Sequence, residues 1–462
     1  MEEKLLEIVA TINGYLSDYV LLILLIGIGL FYTIRTKFIQ VRCFPEAMKR
    51  AFGGINFKGG KQEGGISAFQ ALATAIAAQV GTGNIVGACG AILVGGPGAI
   101  FWMWIIAFFG MATIYAEAVL AQESKKVNAD GSVDGGPVYY ITKAFKGTFG
   151  KVLAGFFAIA SILALGFMGS MVQSNSIGEN FEAAFGVPSW IVGIVVALIA
   201  GFIFIGGANR IASVTEKIVP VMAGLYLVGG IIVLAANFSK VPEAFALIFK
   251  CAFNPAAAFG GAVGITIKAA ITQGAKRGLF SNEAGMGSTP HAHALAEVKK
   301  PHDQGVSAMI GVFIDTFVVL TMTGLVVIST LYAGNGILSA GVTPDGVSKA
   351  NMAQLAFSNV LGNGVGNSFV AICLLFFAFS TILSWNYFGH VNFVALFGKK
   401  ATPIYMIIAI VFVFLGSVLS NDLVWELADM FNQLMVIPNV PALIALSGIV
   451  AASATAKAKK SK

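Results

Sequence analysis

Charged residues are scarce in this chain. Only 11% of its 462 residues are Asp, Glu, Lys or Arg, whereas a soluble globular protein has about 25%. Hydrophobic residues make up 57% of the sequence. A soluble fold has too little interior for so much apolar surface. The composition therefore excludes ordinary soluble domains and predicts an all-α, polytopic membrane protein whose spans hold about 20 apolar residues each.

Residues that hold metals or form disulfides are also few. The four cysteines lie far apart without a CxxC pair, so neither a disulfide framework nor a zinc site is predicted. His291 and His293 are two positions apart and cannot share a helix face. No HExxH or comparable constellation occurs, so we expect no enzyme. The net charge of +7 comes from short clusters between apolar runs, which set membrane topology. No nucleic-acid partner is expected.

Eleven apolar segments divide the chain. They lie at about 17–36, 66–94, 97–121, 150–177, 188–206, 214–237, 260–288, 304–332, 366–396, 402–420 and 428–453. The sequence predicts eleven transmembrane helices, of which the first is retained because it lacks a cleavage site for a signal peptidase.

Lysine and arginine predict the orientation of these helices. If the N-terminus is outside and each segment crosses once, 22 of the 29 basic residues fall in cytoplasmic stretches and four outside. Basic loops resist translocation, which makes the opposite orientation unfavourable. We therefore expect a plasma-membrane protein with a cytoplasmic C-terminus.

Segments 66–94 and 260–288 are too rich in glycine and polar residues to be regular spans. Each has an Ala-Ile step and a glutamine, Gln79 or Gln273, before a glycine. The two lie five segments apart, and this odd number predicts an inverted repeat with broken helices at the binding site. The predicted divisions are an N-terminal helix with a basic loop (1–62), two repeats (63–240 and 241–455) and a basic tail (456–462).

A broken helix exposes backbone dipoles that suit a zwitterion and a cation. At the first predicted break, carbonyl groups from Ala77 to Val80 face a cation, while the N–H groups of Thr82 and Gly83 suit a carboxylate. The alternative is a GxxxG packing face at Gly83 and Gly87. Polar residues at positions 79, 82 and 84 are costly in such a face, which favours a binding site.

The second predicted break lies near Thr272, Gln273 and Gly274, and charged residues follow it. One hypothesis pairs Arg277 with Glu283 as a gate, and the other places both at the membrane boundary. Asp315 in the next segment is either a member of a buried ion pair or a cation ligand.

Two further groups of residues are candidates for the site. Ser380 and Thr381 place adjacent hydroxyls in an aromatic run and suit a small cation, although each could bond instead to a carbonyl one turn earlier. Phe167 and Met171 could line an apolar side-chain pocket, while packing in the core is the alternative. Gln173 adds polarity to the same segment.

Three long stretches resemble the alanine or glycine:cation symporter family. They are TAIAAQVGTGNIVG (74–87), GGPGAIFWMW (95–104) and FSNEAGMGSTPHAHA (280–294), and the resemblance extends over essentially the whole chain. It implies a leucine-transporter-type five-plus-five inverted repeat with an extra N-terminal helix. It also implies import of alanine or glycine by alternating access, driven by Na⁺ and less often by H⁺.

The resemblance also implies roles for individual residues. It gives Ala77 and Val80 carbonyls that bind Na⁺, completed by Ser380 and Thr381. Gln79, Thr82 and Gly83 would contact the substrate, as would the looser match at Thr272, Gln273 and Gly274. Asn84 falls where related transporters bind a second sodium. Na⁺ is thus a co-transported ion, the partners are a small amino acid and the lipid bilayer, and the oligomeric state stays open. A channel is the more distant alternative.

Overall fold

Helices make up nearly all of the regular structure. The computed structural model describes residues 2–52, 66–129, 132–256 and 265–455. Its helices are α1 (Glu2–Arg35), α2 (Ile39–Arg42), α3 (Phe44–Phe52), α4 (Ala68–Gln79), α5 (Gly83–Gly95), α6 (Gly98–Ser124), α7 (Pro137–Ala144), α8 (Gly147–Phe185), α9 (Ser189–Phe204), α10 (Gly207–Ala236), α11 (Val241–Phe253), α12 (Ile267–Asn282), α13 (Pro290–Leu295), α14 (Pro301–Tyr332), α15 (Met352–Leu361), α16 (Asn363–Phe397), α17 (Lys399–Gly416), α18 (Asn421–Ala445) and α19 (Ser447–Thr455). Two short strands, β1 (Lys126–Val127) and β2 (Val133–Asp134), pair antiparallel between α6 and α7.

Within the described ranges, eight helices are long and apolar enough to cross a membrane: α1, α6, α8, α10, α14, α16, α17 and α18. A ninth span results if α4 and α5, which meet at a bend of 46°, are taken together. Of the other two predicted segments, α9 has only 16 residues, and 260–288 lies partly outside the described residues. The multi-pass helical class is thus confirmed, while the number eleven stays a prediction.

Apolar side chains cover the outside of the bundle. On α9, Leu198 and Phe202 expose 67% and 68% of their surface, and Ile407 on α17 exposes 65%. Such a continuous apolar exterior is unfavourable in water, but it suits the lipid phase. The polar residues of the candidate site lie inside the bundle, where α4, α5, α12 and α14 meet α6, α8, α16 and α18.

Basic loops gather on one side of the bundle, which we call the basic face. There the guanidinium of Arg50 lies 2.8 Å from Asp303, and the ammonium of Lys125 donates to the Ala296 carbonyl at 3.0 Å. These contacts join α3 to the start of α14, and the residue after α6 to the residue after α13.

The other ends of the helices meet on the opposite face. The Lys349 ammonium lies 2.8 Å from Asp422, and the backbone N–H of Gly334 donates to Glu243 at 3.0 Å. Helix α14 runs from one face to the other. Its 32 residues rise about 48 Å, which is enough to cross a bilayer.

The start of α6 packs very closely against α11, and this contact can be tested. A Cβ added at Gly98 would lie 2.4 Å from the backbone nitrogen of Ala252, which cannot rotate away. Gly98→Ala should therefore destabilise the protein by about 1–3 kcal/mol, as overpacking does. The matched control is Gly155→Ala in α8, because nothing lies within 4 Å of its added Cβ. Thermal unfolding of the purified variants would show the difference, and equal melting temperatures would contradict this packing.

Candidate functional site

The first break separates α4 from α5 at residues 80–82. The backbone of Val80 is not helical (φ −82°, ψ 87°), although its N–H still donates to the Ile76 carbonyl. The break predicted from the sequence is confirmed, and it leaves the last carbonyls of α4 without helical N–H partners. It is fully enclosed, since all of residues 71–92 are buried.

Helix α16 brings its two hydroxyls to this break. The Thr381 hydroxyl donates to the Ala77 carbonyl at 2.8 Å, and the Ser380 hydroxyl lies 3.4 Å from the same oxygen. Both also bond back to the Phe377 carbonyl, at 3.1 and 2.9 Å. The back-bonding that the sequence offered as the alternative is therefore present, and both hydroxyls also lie near the end of α4. Their role as cation ligands stays a prediction.

Several buried polar atoms around the first break lack a partner. Within the described part of the chain, they include Oε1 of Gln79, Oγ1 of Thr82 and Nε2 of Gln173. Buried polar groups are nearly always paired in folded proteins. Three unpaired atoms close to a helix break therefore indicate a place for a polar ligand.

Gln173 on α8 takes a larger part in the break than its sequence position indicates. Its Oε1 accepts the backbone N–H of Thr82 at 3.1 Å and would lie 3.1 Å from a Cβ added at Gly81. An amide oxygen thus occupies a position at the start of α5 that a carboxylate oxygen could take. Only the polarity of Gln173 within an apolar segment pointed to it beforehand.

The second break is not where the sequence placed it. Residues Thr272, Gln273 and Gly274 lie inside the continuous helix α12, so a break there is wrong. A Cβ at Gly274 would lie 2.5 Å from the Cβ of Trp102 on α6. The glycine therefore serves close helix packing, and Gln273 does not precede a break. Substrate contact by these three residues stays a prediction, but the helix break on which it was based is absent there.

The helix ends instead at residues 283–289, which we call the second break. Glu283, Gly285 and Gly287 have positive φ angles of 59°, 91° and 85°, so the backbone leaves the helix at once. The side chain of Gln79 donates to the Asn282 carbonyl at 2.8 Å. This bond joins the end of α4 to the end of α12, so the two breaks are neighbours.

Two fully buried carboxylates hold the second break in place. Glu283 accepts from the Trp385 indole at 2.5 Å and from the Ser288 hydroxyl. Glu117 on α6 accepts the Gly285 N–H at 3.2 Å and the Asn439 side chain at 2.7 Å. Glu117 thus satisfies a backbone N–H that the break leaves without a helical partner, and Glu283 connects the break to α16 through Trp385.

The hypothesis that Arg277 pairs with Glu283 is wrong. Arg277 and Lys276 both contact Asp429 on α18, at 3.0 and 2.9 Å, and the Arg277 guanidinium lies over Trp425 at 4.6 Å. Lys349, which comes from the loop before α15, lies over the same ring. Burial lowers the pKa of Lys349, and the nearby Arg277 lowers it further.

Aromatic rings lie against the start of α5. Phe280 packs on Trp385 and Trp425, with ring centroids 5.5 and 4.8 Å apart. A Cβ added at Gly83 would lie 3.1 Å from the Phe280 ring. These rings are candidates for the wall of a small apolar pocket, and the sequence analysis did not single them out. Phe280 begins the motif FSNEAGMGSTPHAHA and Trp385 ends FFAFSTILSW, which was the available signal.

Phe167 and Met171 face a different neighbour. The Phe167 ring stacks on Phe412 at 4.7 Å, and a Cβ at Gly416 would lie 2.3 Å from the Met171 carbonyl oxygen. Both contacts are with α17. The stacking of Phe167 favours the alternative of core packing, whereas the contact at Met171 involves only its backbone. Their role in a substrate pocket stays a prediction.

Asn84 and Asp315 connect the first break to α14. The Oδ1 of Asn84 accepts the Gly81 N–H at 2.9 Å, and its Nδ2 donates to the Asp315 carboxylate at 2.6 Å. Of the two possibilities for Asp315, the buried ion pair finds no support, because no basic side chain among the described residues pairs with it.

The sequence model of the sodium:alanine symporter family matches residues 2–462. The chain belongs to this family. The sodium/alanine symporter AgcS of Methanococcus maripaludis is 42% identical to it, over 96% of this chain and 95% of the relative. The amino-acid carrier protein AlsT of Bacillus subtilis is 38% identical, over 94% and 89%. The family is one of transporters, so this member is a multi-pass membrane transporter and not an enzyme.

Among solved structures, MhsT in complex with L-phenylalanine superposes on this transporter with a TM-score of 0.60. The likeness covers 85% of this chain and 90% of MhsT at 15% sequence identity. At this identity it shows the fold alone. The family member and MhsT therefore share the arrangement of their helices.

In this transporter, the Asp429 cluster offers a matched test of buried and exposed charge. Asp429→Asn should destabilise the protein by about 3–5 kcal/mol, because Lys276 and Arg277 would keep their charges without the buried carboxylate. The Asp422 side chain on the same helix is 72% exposed and pairs with Lys349, so Asp422→Asn should cost about 0–1 kcal/mol. Chemical or thermal unfolding measures both. A larger loss of stability in Asp422→Asn than in Asp429→Asn would contradict the stabilising role of the buried Asp429 contacts.

Proposed function

We propose that this protein imports a small neutral amino acid, alanine or glycine, together with Na⁺ by alternating access. The observation that carries the proposal is the meeting of the Thr381 hydroxyl with the Ala77 carbonyl at a helix break bordered by unpaired polar atoms. The family model and AgcS support the substrate and the ion. Each Na⁺ that crosses 100 mV contributes about 2.3 kcal/mol to uptake.

The Na⁺ is assigned to the junction of α4 and α16. Its ligands would be the carbonyls of Ala77 and Val80 and the hydroxyls of Ser380 and Thr381. Carbonyl and hydroxyl oxygens suit a hard cation, and the C-terminal end of α4 adds the negative end of a helix dipole. When Na⁺ binds, the Thr381 hydroxyl would stop donating its hydrogen to the Ala77 carbonyl, and both oxygens would bind the ion through their lone pairs.

The substrate is assigned to the space between the two breaks. The N–H groups of Thr82 and Gly83 would bind the carboxylate, and this requires the Gln173 amide to leave the Thr82 N–H. Gln79 would contact the substrate through its unpaired oxygen. The Phe280 ring lies close to Gly83 and would favour a substrate with a small side chain, such as alanine or glycine.

We further propose that residues 63–240 and 241–455 form a five-plus-five inverted repeat of eleven spans with α1 outside it. The two breaks, one in each half, support this arrangement. They would form the centre at which such repeats bind substrate. Residues 1–62 and 456–462 would stand outside the repeats.

The basic face is assigned to the cytoplasm of the cell, which places the N-terminus outside, since basic loops stay inside. A cavity of about 580 Å³ lies on this face, lined in part by Ile66, Leu295 and Tyr387. It contains none of the residues assigned to Na⁺ or substrate. Because Ile66 precedes α4 and Leu295 ends α13, the cavity suits the last stage of release into the cytoplasm.

Uptake by proteoliposomes tests the proposal. An inward Na⁺ gradient should concentrate radiolabelled alanine. Gly81→Ala should reduce uptake about tenfold or more, because its Cβ would lie 2.4 Å from the Thr381 hydroxyl and loss of a buried polar contact costs about 1–3 kcal/mol. Gly90→Ala is the control, because its Cβ meets Lys349 at an ordinary 3.6 Å.

Two alternatives give different results in the same vesicles. A proton-coupled transporter would concentrate alanine under a pH gradient without Na⁺. A channel would let alanine equilibrate but not accumulate. Equal uptake by the Gly81 and Gly90 variants would refute the Na⁺ assignment at α16.

Membrane sidedness can be tested by labelling single cysteines with an impermeant maleimide. Lys146 and Asp345 are exposed on opposite faces, and the native cysteines are all buried. Asp345→Cys should react in intact cells, whereas Lys146→Cys should react only after permeabilisation. The native protein is the control, and the reverse pattern would refute the orientation.

A further inference from the structure

Three side chains of the kinds that bind transition metals meet on the basic face. Cys43 lies between α2 and α3, Glu46 lies on α3, and His302 lies in the first turn of α14. A sulfur, a carboxylate oxygen and a ring nitrogen from these residues all lie within 4.8 Å of one another. The spacing of the cysteines did not predict this group, because only the fold brings His302 to α3.

The spacing of the three ligand atoms fits an ion such as Zn²⁺. Nε2 of His302 lies 3.8 Å from Oε1 of Glu46. A tetrahedral Zn²⁺ ion holds two such ligand atoms about 3.5 Å apart, because its bonds are about 2.0–2.3 Å long. The widest pair in the group therefore has to close by roughly 1 Å. Cysteine, histidine and glutamate are all ligands of Zn²⁺, and a thiolate selects such a metal over Na⁺ or Mg²⁺.

The other side of the His302 ring is held as a metal ligand requires. Its Nδ1 lies 2.8 Å from the hydroxyl of Tyr115 on α6, and the two rings pack edge to face with centroids 5.7 Å apart. In the tautomer whose Nδ1 carries the hydrogen, the ring donates to Tyr115 and presents the Nε2 lone pair to Glu46. Metal-binding histidines commonly have such a partner on the second nitrogen. Tyr115 is therefore a positioning residue for His302.

The group is open to the basic face through Glu46. Cys43 and His302 expose 7% and 4% of their surface, whereas the Glu46 side chain exposes 25%. Arg50 contacts Oε1 of Glu46 and also Asp303, each at 2.8 Å. Glu46 has a second carboxylate oxygen, so it can bind an ion and keep this contact. The thiol releases its proton to solvent when a metal binds. One thiolate and two carboxylates would then balance the guanidinium and a divalent ion.

We propose that Cys43, Glu46 and His302 form a binding site for a divalent transition-metal ion such as Zn²⁺. Water takes the fourth position, unlike in closed structural sites with four protein ligands. The ion fastens α3 to the start of α14. The site shares no residue with the Na⁺ and substrate assignments, so it does not depend on the proposed function.

Co²⁺ used in place of Zn²⁺ tests the thiolate ligand directly. Tag-free purified protein titrated with Co²⁺ should develop a thiolate-to-cobalt charge-transfer band that saturates at one ion per protein. Cys43→Ser should abolish this band, because a hydroxyl gives no such transition. Cys373→Ser is the matched control, because Cys373 is also buried but lies on α16, and it should keep the band. Excess Na⁺ should leave the band unchanged, because Na⁺ does not compete for a thiolate.

Stabilisation by Zn²⁺ keeps the test valid if Cys43→Ser does not fold. Zn²⁺ should raise the melting temperature of the native protein, since it binds the folded state. Glu46→Gln, at the open edge, should raise the Zn²⁺ concentration for half-maximal stabilisation about tenfold or more, and Tyr115→Phe should raise it about 10–100-fold. Tyr115→Phe should still keep the cobalt band, because the thiolate remains. Glu123→Gln, at an exposed position of α6, should match the native protein.

Four results would overturn the proposal. The first is a native protein without the charge-transfer band in excess Co²⁺, and the second is a band that survives in Cys43→Ser. The third is an unchanged Zn²⁺ requirement in both Glu46→Gln and Tyr115→Phe. The fourth is displacement of Co²⁺ by Na⁺, which would identify the bound metal with the transport pathway and refute a separate site.

Discussion

The hydrogen bond between the Gln79 side chain and the Asn282 carbonyl is the contact on which the centre of this protein depends. A helix that ends inside a membrane leaves carbonyl and N–H groups that no water can satisfy. Gln79 satisfies one such carbonyl of the second break from the edge of the first. At Gly285, Glu117 accepts the backbone N–H and Asn439 donates to the carbonyl. Each break is thus stable only because side chains from distant segments complete it.

The sequence allowed prediction of those features that depend on local composition. Apolar runs located the spans, because the bilayer requires about 20 such residues wherever a helix crosses. The first break was visible because Gly81, Thr82 and Gly83 interrupt an apolar run at a single place. The pairing of Ser380 and Thr381 with Ala77 followed from the family resemblance, and the structure places these residues in contact.

The second break could not be located in this way, because its position is decided by contacts across the fold. Gly274 and Gly285 look equally suited to end a helix. Gly274 remains helical because Trp102 packs where its side chain would be, whereas Gly285 leaves the helix and donates to Glu117, 168 positions away. Gln173 was missed as a contact of Thr82 for the same reason. Neither partner is visible to an analysis of local pattern.

Charge inside the bundle is arranged unevenly, and this bears on the mechanism. At the end of α12 that faces α18, two cations share Asp429. Beyond it, Glu283, Glu117 and Asp315 are fully buried among neutral donors in the described structure. Such a region attracts cations strongly but binds anions weakly. A zwitterion would then enter more easily after a cation, and by reciprocity its carboxylate would hold that cation more tightly. Uneven buried charge is therefore a physical basis for the coupling proposed above, since a bound cation would offset the negative charge that repels the substrate carboxylate.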